Sequence, residues 1–332
     1  MNKNKQILKI LSIVVFSAIL FVACSKARIE GPIDAGTVDE TDNQTGANKL
    51  HFVSLTDYYK TKQQKKEEIS RNFFSTTPAY ETVYGSRIWT SANFFLNNNG
   101  NIVEEPVKCH IIELYKIKQY IFFDIQTVSN NKLLITNSVC NLNCYKDTNL
   151  LILNKNGYMN FGSINSLGNT HPLNLYGFNP KMQNKLDSWS KLYNYTEIGY
   201  DINLFNFVDI PNGKIGFSGR VGSIGWYLMG DYAQFNTTEY TNLTFTSTNA
   251  DLTNVGIYIC FSDINSYTKV EDCTSILLPV GEYVKVLAVG ITKNNELYYN
   301  LKKIVIDKNK TNYDINMKPT TDELLTQILD SL

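Results

Sequence analysis

"SILLPVGEYVKVLAVGI" (275–291) and, after a short turn, "ELYYNLKKIVID" (296–307) decide the fold class. Both are rich in β-branched and aromatic residues, which suit a pleated, half-buried surface. Similar short segments flank them: "TNLTFTST" (241–248), "VGIYICFSD" (255–263) and "YDINMK" (313–318). Alternating strands at this turn-delimited spacing predict a C-terminal β-sandwich over 233–318. Past it, "PTTDELLTQILDSL" (319–332) reads as a helix. Thr320 and Glu323 have capping-box spacing. Leu324, Leu325, Ile328, Leu329 and Leu332 form one apolar stripe, which is expected to pack on its own domain.

Working back toward the N-terminus, the period of two persists to about Tyr80. "RIWTSANFFLNNNGNIVEEPVKCHIIELY" (87–115) turns at Asn99-Gly100. Further strands are expected at 119–127, 132–144, 149–155 and 202–208. "GKIGFSGRVGSIGWYLMGDY" (213–232) is punctuated by glycine, and "GRVGSIG" (219–225) within it reads as turns and bulges rather than a phosphate cradle. The chain holds 21 Tyr and 17 Phe among frequent Asn and Gly turns, which predicts a mostly β body with two sandwich-like regions, 80–232 and 233–318. Ahead of these, "LTDYYKTKQQKKEEISRNFF" (55–74) has charged, helix-forming spacing with Asp57 as a cap. It reads as a surface helix with its lead-in over 53–79.

The first 24 residues concern location. Lys3, Lys5 and Lys9 precede an apolar run from Ile10 to Ala23, the pattern of a signal peptide over 1–23. The run is too short for a membrane-spanning helix, which needs about 20 residues. Phe21-Val22-Ala23-Cys24 resembles the lipobox of bacterial lipoproteins, with Phe where Leu is usual. In that family the thiol, here Cys24, receives a diacylglycerol, the signal is cut before it, and the new N-terminus is acylated. Two or more acyl chains on one residue give durable attachment. Ser25, rather than Asp, follows the cysteine, which by the rule of that family points to the outer membrane. The stretch 24–52 lacks the apolar residues for a core and reads as a flexible tether.

Loss of the three lysines leaves 28 basic against 31 acidic residues, a formal charge near −3. With no basic cluster remaining, no nucleic-acid partner is expected.

One block carries a resemblance. Phe95, Gly100, Val103, Glu113, Tyr115, Thr127, Ser129, Asn130 and Leu133 stand at the positions of a recurrent pattern. It is similar to a ZU5-like β-sandwich in an uncharacterised family of Gram-negative outer-membrane lipoproteins. "IGWYLMGDY" (224–232) and the last hundred residues resemble that family's Gly-Trp segment, C-terminal sandwich and closing helix. "TNSVCNLNCY" (136–145) departs from its small residues after the turn. The shared residues are turn and core positions, so the resemblance implies a fold and no activity.

Chemistry-bearing patterns are sparse. H-E-x-x-H, G-x-S-x-G, the P-loop and the dinucleotide-binding fingerprint do not occur. His110 and Glu113 lie three apart on a strand and point to opposite faces, so they are not expected to share a metal. His51 lies near the tether and His171 in a loop. No cofactor or metal is expected, nor a calcium loop at Glu104-Glu105. The expectation is a lipid-anchored, non-enzymatic cell-envelope protein that binds or scaffolds. It would meet the membrane through its acyl chains, with an outer-membrane protein or a polysaccharide as candidate partner. One alternative is a glycan-binding surface lipoprotein that stacks sugars on Trp89, Trp189 and Trp226. Another is an envelope hydrolase with a cysteine nucleophile.

Export permits disulfides. In an extended strand Cys140 and Cys144 lie about 13 Å apart, beyond the roughly 7 Å a disulfide spans. Cys109, on a neighbouring strand, is the natural partner for one of them, Cys144 being a candidate. Cys260 and Cys273 are a second candidate pair, across a 12-residue loop. The competing reading is that all five remain reduced in the core.

Overall fold

A computed structural model describes residues 49–71, 80–90, 94–103, 106–154, 159–164, 174–178, 189–191, 207–210, 214–221 and 224–332. Cys24, the signal, most of the tether, Glu104-Glu105, His171 and 202–206 lie outside them. The protein is mostly β.

The axis of the molecule is one 15-residue strand, Lys132–Lys146. Val107–Leu114 pairs antiparallel with it on one side and Gly225–Tyr232 on the other. Glu67–Arg71, Asn174–Phe178 and Trp189–Lys191 extend this row, and Val128–Ser129 and Asn149–Leu150 pair with the two ends of the long strand, which makes an eight-stranded sheet. A five-stranded sheet runs Phe207–Ile210, Lys214–Val221, Met159–Ile164, Arg87–Thr90, Tyr80–Glu81. A second five-stranded sheet runs Ser266–Lys269, Gly256–Phe261, Tyr283–Ile291, Leu297–Val305, Lys318–Thr320, every pair antiparallel.

Alternation distributes side chains between cores. Along Val107–Leu114, Cys109 and Ile111 enter one apolar cluster with Ile88, Phe94, Phe95 and Leu142. Ile112 and Leu114 face another, because successive strand side chains point to opposite faces. That second cluster joins the far face of the eight-stranded sheet to Tyr258, Leu287 and Val289 of the C-terminal sheet. The two regions expected to be separate sandwiches therefore share a core, and 47–332 forms one unit. A third cluster covers the opposite face of the C-terminal sheet.

A β-bulge sits in the long strand. Met229 pairs with Ser138 but Gly230 pairs with Thr136, which skips Asn137. One extra residue flips the facing, so Leu134 and Val139, five apart, both reach the shared core. Gly230 is needed there: a Cβ would lie 2.3 Å from the Ile135 carbonyl oxygen.

Four elements differ from expectation. The N-terminal helix is short, Thr56–Lys62. The rest of the presumed helix includes the strand Glu67–Arg71, which puts Ile69 opposite Cys109, buried. Its charges look helical but act across strands: Glu68 binds Lys108 at 2.7 Å and His110 at 3.1 Å. Residues 119–127 are not a strand; Ile117–Phe122 is a helix. The Gln119 side chain caps it by accepting from the Tyr115 and Lys116 amides. Tyr120, Ile121 and Phe122 are all buried, and an apolar run buried on every side carries no period to read. The glycine-rich 219–225 is not all turns: Gly219–Val221 ends one eight-residue strand, Lys214–Val221, and Gly225 begins another, Gly225–Tyr232.

The last helix is Asp322–Asp330, capped by Thr321, not Thr320, whose hydroxyl accepts from the Leu324 amide at 3.2 Å. Leu325 and Leu329 are buried in the shared core, while Leu324 stays exposed. Asp322 binds Lys62 and the Tyr58 hydroxyl, and Asp330 binds Lys118. The helix is thus clamped at both ends to the other two.

Candidate functional site

Four separate stretches build a cleft of 690 Å³, within the size range of small-molecule sites. Ser54, Thr56, Lys60 and Gln63 come from the N-terminal helix and its lead-in. Phe123 and Asp124 follow the second helix, where Asp124 leaves it at φ +52°. Thr253–Gly256 leads into one strand of the C-terminal sheet, and Lys269, Glu271 and Asp272 leave the next. Tyr59 and Tyr258 form the floor, the Tyr258 hydroxyl donating to that of Tyr59 at 3.0 Å. Burial pushes both phenols up, so both are neutral at physiological pH. Gly256 makes room for the floor: a Cβ would sit 2.3 Å from the Tyr258 hydroxyl. The rim carries the Lys269–Asp124 ion pair, 2.8 Å, beside Glu271 and Asp272. A second depression, of 800 Å³, is lined by Asn97, Asn98, Asn99 and Lys146 and has no aromatic residue.

A polar network lies inside, between the eight-stranded sheet and the Tyr80–Thr90 hairpin. Glu113 is 2% exposed. Its Oε1 accepts from the Tyr115 hydroxyl at 2.8 Å; its Oε2 has no hydrogen-bond partner among the described residues. Tyr115 also contacts the hydroxyls of Ser86 at 2.8 Å and Ser163 at 3.4 Å, and Ser163 donates to Ser138. Cys140 stands directly opposite Glu113 in the sheet. Burial raises the Glu113 pKa, and the Ser86, Thr82 and Tyr115 hydroxyls offset part of that.

Cys109 and Cys144 form a disulfide. They are register partners with Cα atoms 4.1 Å apart. Cys260 and Cys273 are free thiols, which corrects the second candidate bridge. Gly256–Phe261 and Ser266–Lys269 form a hairpin with Cys260 opposite Tyr267 near its turn. Cys273 lies past the open end, six residues beyond Tyr267, or about 20 Å of extended chain. Cys140 is the third free thiol. Burial raises the pKa of Cys140 and Cys260, the opposite of what a nucleophile needs. His110 is engaged with Glu68 and Lys66, and His51 with Asp251 at 3.3 Å. Among the described residues no cluster of three or more His, Cys, Asp or Glu is placed to hold a metal, and no helix is long and apolar enough to cross a membrane.

Trp189 and Trp226 do not form a platform together. Trp189 is 1% exposed and donates its indole N–H to the Gln126 carbonyl at 2.6 Å. Trp226 is half-buried, edge-on to Phe123. Trp89 lies in the strand Arg87–Thr90, and its side chain is outside the described residues. Neither Trp189 nor Trp226 lines the cleft. The cleft residues escaped sequence reading because no local motif links segments 54–63, 122–124, 253–258 and 269–272. Glu113 and Tyr115 stood out only as pattern positions, since a strand carboxyl shows its burial only once both sheets are in place.

The fold and site together define a mostly β, disulfide-bonded protein with a polar cleft beside two short helices. Compared with protein families, curated proteins and solved structures, the chain has no match.

Proposed function

We propose that this is a lipid-anchored cell-envelope protein that works without catalysis, as a binding or scaffold module held at the outer membrane through Cys24. The observation that carries this reading is the N-terminal sequence: three lysines, an apolar run too short to span, then Phe-Val-Ala-Cys-Ser. The ZU5-like resemblance around Phe95–Leu133 and the Cys109–Cys144 disulfide, suited to an oxidising compartment, support it. The raised pKa of the buried Cys140 and Cys260 thiols favours binding over a cysteine hydrolase. Cys24→Ala is expected to abolish incorporation of labelled palmitate and to leave the signal uncleaved or the body released. Unchanged labelling in that variant would end the reading.

The cleft favours glycan binding as a second reading: an aromatic floor under hydroxyl, amide and carboxylate groups offers hydrogen bonds to sugar hydroxyls. On a polysaccharide panel, Lys60→Glu with Glu271→Lys is expected to weaken retention at least about tenfold, roughly 1.4 kcal/mol. Thermal stability should be unchanged, because Lys60 and Glu271 are surface residues of the rim. Equal retention by wild type and variant would remove the cleft as the glycan site.

A further inference from the structure

The unpartnered oxygen of Glu113 lies beneath a turn whose hold depends on a second carboxylate. Thr82–Ser86 connects the strands Tyr80–Glu81 and Arg87–Thr90. The Thr82 amide donates to the Ser86 carbonyl at 2.8 Å and the Gly85 amide to the Thr82 carbonyl at 2.9 Å. From the edge strand, Glu67 takes the Val83 amide on Oε2 at 3.1 Å and the Tyr80 hydroxyl on Oε1. From beneath, Ser86 is tied to Tyr115, and Tyr84 packs on the Tyr115 ring. Val83 and Tyr84, at the tip, are 78% and 44% exposed. Thr82 and Ser86 are themselves buried and their hydroxyls act on Glu113, so this turn is part of what separates Glu113 from water.

We propose that the Thr82–Ser86 turn is a proton-linked lid: it closes over Glu113 when that carboxyl is neutral and opens when it is charged.

The groups facing Glu113 define the linkage. From the edge strand comes Glu67, a like charge. From the long strand come Cys140, a neutral buried thiol, and Ser138. From the hairpin come Thr82 and Ser86, from Met159–Ile164 comes Ser163, and Tyr115 comes from Glu113's own chain segment. Arg87, the hairpin's cation, is paired with Glu81 at 3.5 Å. None of these groups supplies a positive charge to balance a carboxylate. A charged Glu113 therefore sits unpaired in the core and repels Glu67, the residue that holds the tip. Opening hydrates it and relieves both costs.

Burial raises the Glu113 pKa in the closed state, so that state binds the proton more tightly than the open one. Closure is fully favoured below the ordinary glutamate pKa of about 4.3. It is lost as pH rises toward the closed-state value, by up to about tenfold in the open fraction per pH unit.

Amide hydrogen exchange on the full chain tests this. Protection factors at Thr82, Gly85 and Ser86, corrected for intrinsic exchange, are compared at about pH 4 and about pH 8, on either side of the rise, where the linkage predicts a several-fold loss in the wild type. In Glu113→Gln, which keeps the shape and removes the charge, protection should be the same at both. Equal, pH-independent protection in wild type and variant would overturn the lid. Should Glu113→Gln fail to fold, glutamate-labelled infrared spectroscopy on the wild type decides. A carboxylic-acid carbonyl band persisting at about pH 6 supports the proposal, and titration wholly near the ordinary value of about 4.3 overturns it.

Discussion

Replacement of Asn265 by alanine is expected to destabilise the protein by about 3–5 kcal/mol, against about 1–3 kcal/mol for each buried polar group left unpaired. Asn265 ends the short 3₁₀ turn Ser262–Ile264 in the left-handed region, φ +48°, and is 8% exposed. The two hydrogens of its side-chain nitrogen are shared among the Tyr115 carbonyl at 3.0 Å, the Thr136 carbonyl at 2.8 Å and the Tyr120 hydroxyl at 3.0 Å. Those groups belong to the eight-stranded sheet and the helix after it, so one amide pins the C-terminal sheet to the rest. Alanine removes the donor from two carbonyls and also lacks the polar side chain that lets Asn tolerate the left-handed region better than other L-residues do. Asn265→Gly removes only the hydrogen bonds and should be milder. Denaturant unfolding of the three proteins measures both terms. A loss below about 1 kcal/mol for alanine would mean that water replaces the amide without cost.

The same junction has other polar ties. Thr127 and Gln126 cover the outer edge of Ser266–Lys269. The Thr127 hydroxyl accepts from the Tyr267 amide at 2.7 Å, and the Gln126 side chain accepts from the Lys269 amide at 3.0 Å. An edge strand that would otherwise invite another chain is thereby closed.

The second large effect concerns the disulfide. Replacing both Cys109 and Cys144 by alanine is expected to cost about 4 kcal/mol, from the chain entropy of a loop of this length. The separation is 35 residues. Both positions are fully buried on the face shared by Ile111 and Leu142, so the double variant also loses packing. Unfolding with and without reductant should show a shift of similar size. Non-reducing peptide mapping should yield a Cys109–Cys144 linkage. Insensitivity to reductant, or a Cys140–Cys144 linkage, would contradict the register of the two strands.

Much of this architecture is local in origin and so could be read from the chain. The runs from 241 to 318 show β character because branched and aromatic residues favour strands wherever they stand. The last helix was legible from its threonine and apolar stripe; only which threonine caps it was decided by geometry. The distance argument that separates Cys140 from Cys144 also needs nothing but strand rise. No comparable local signal marked Glu67–Arg71. Its Glu and Lys residues suit a helix in isolation, and it is a strand because Val107–Ile111 offers an edge and Glu68 finds Lys108 and His110 across it.

The helix Ile117–Phe122 is the converse case. Its apolar residues touch the core on all sides, so no period distinguished it from a strand, and the Gln119 cap settles it. The glycines of 219–225 read as turns and bulges because glycine is costly in an isolated strand. Neighbours on both sides of Gly225–Tyr232 outweigh that cost, and the bulge at Gly230 uses the missing Cβ. By itself, then, the sequence determined the β class, the closing helix and the spacing limits on its cysteines, all consequences of local geometry. Only the tertiary structure decided the shared core, the cleft and the buried Glu113. Each depends on segments far apart in the chain meeting at distances no local pattern encodes.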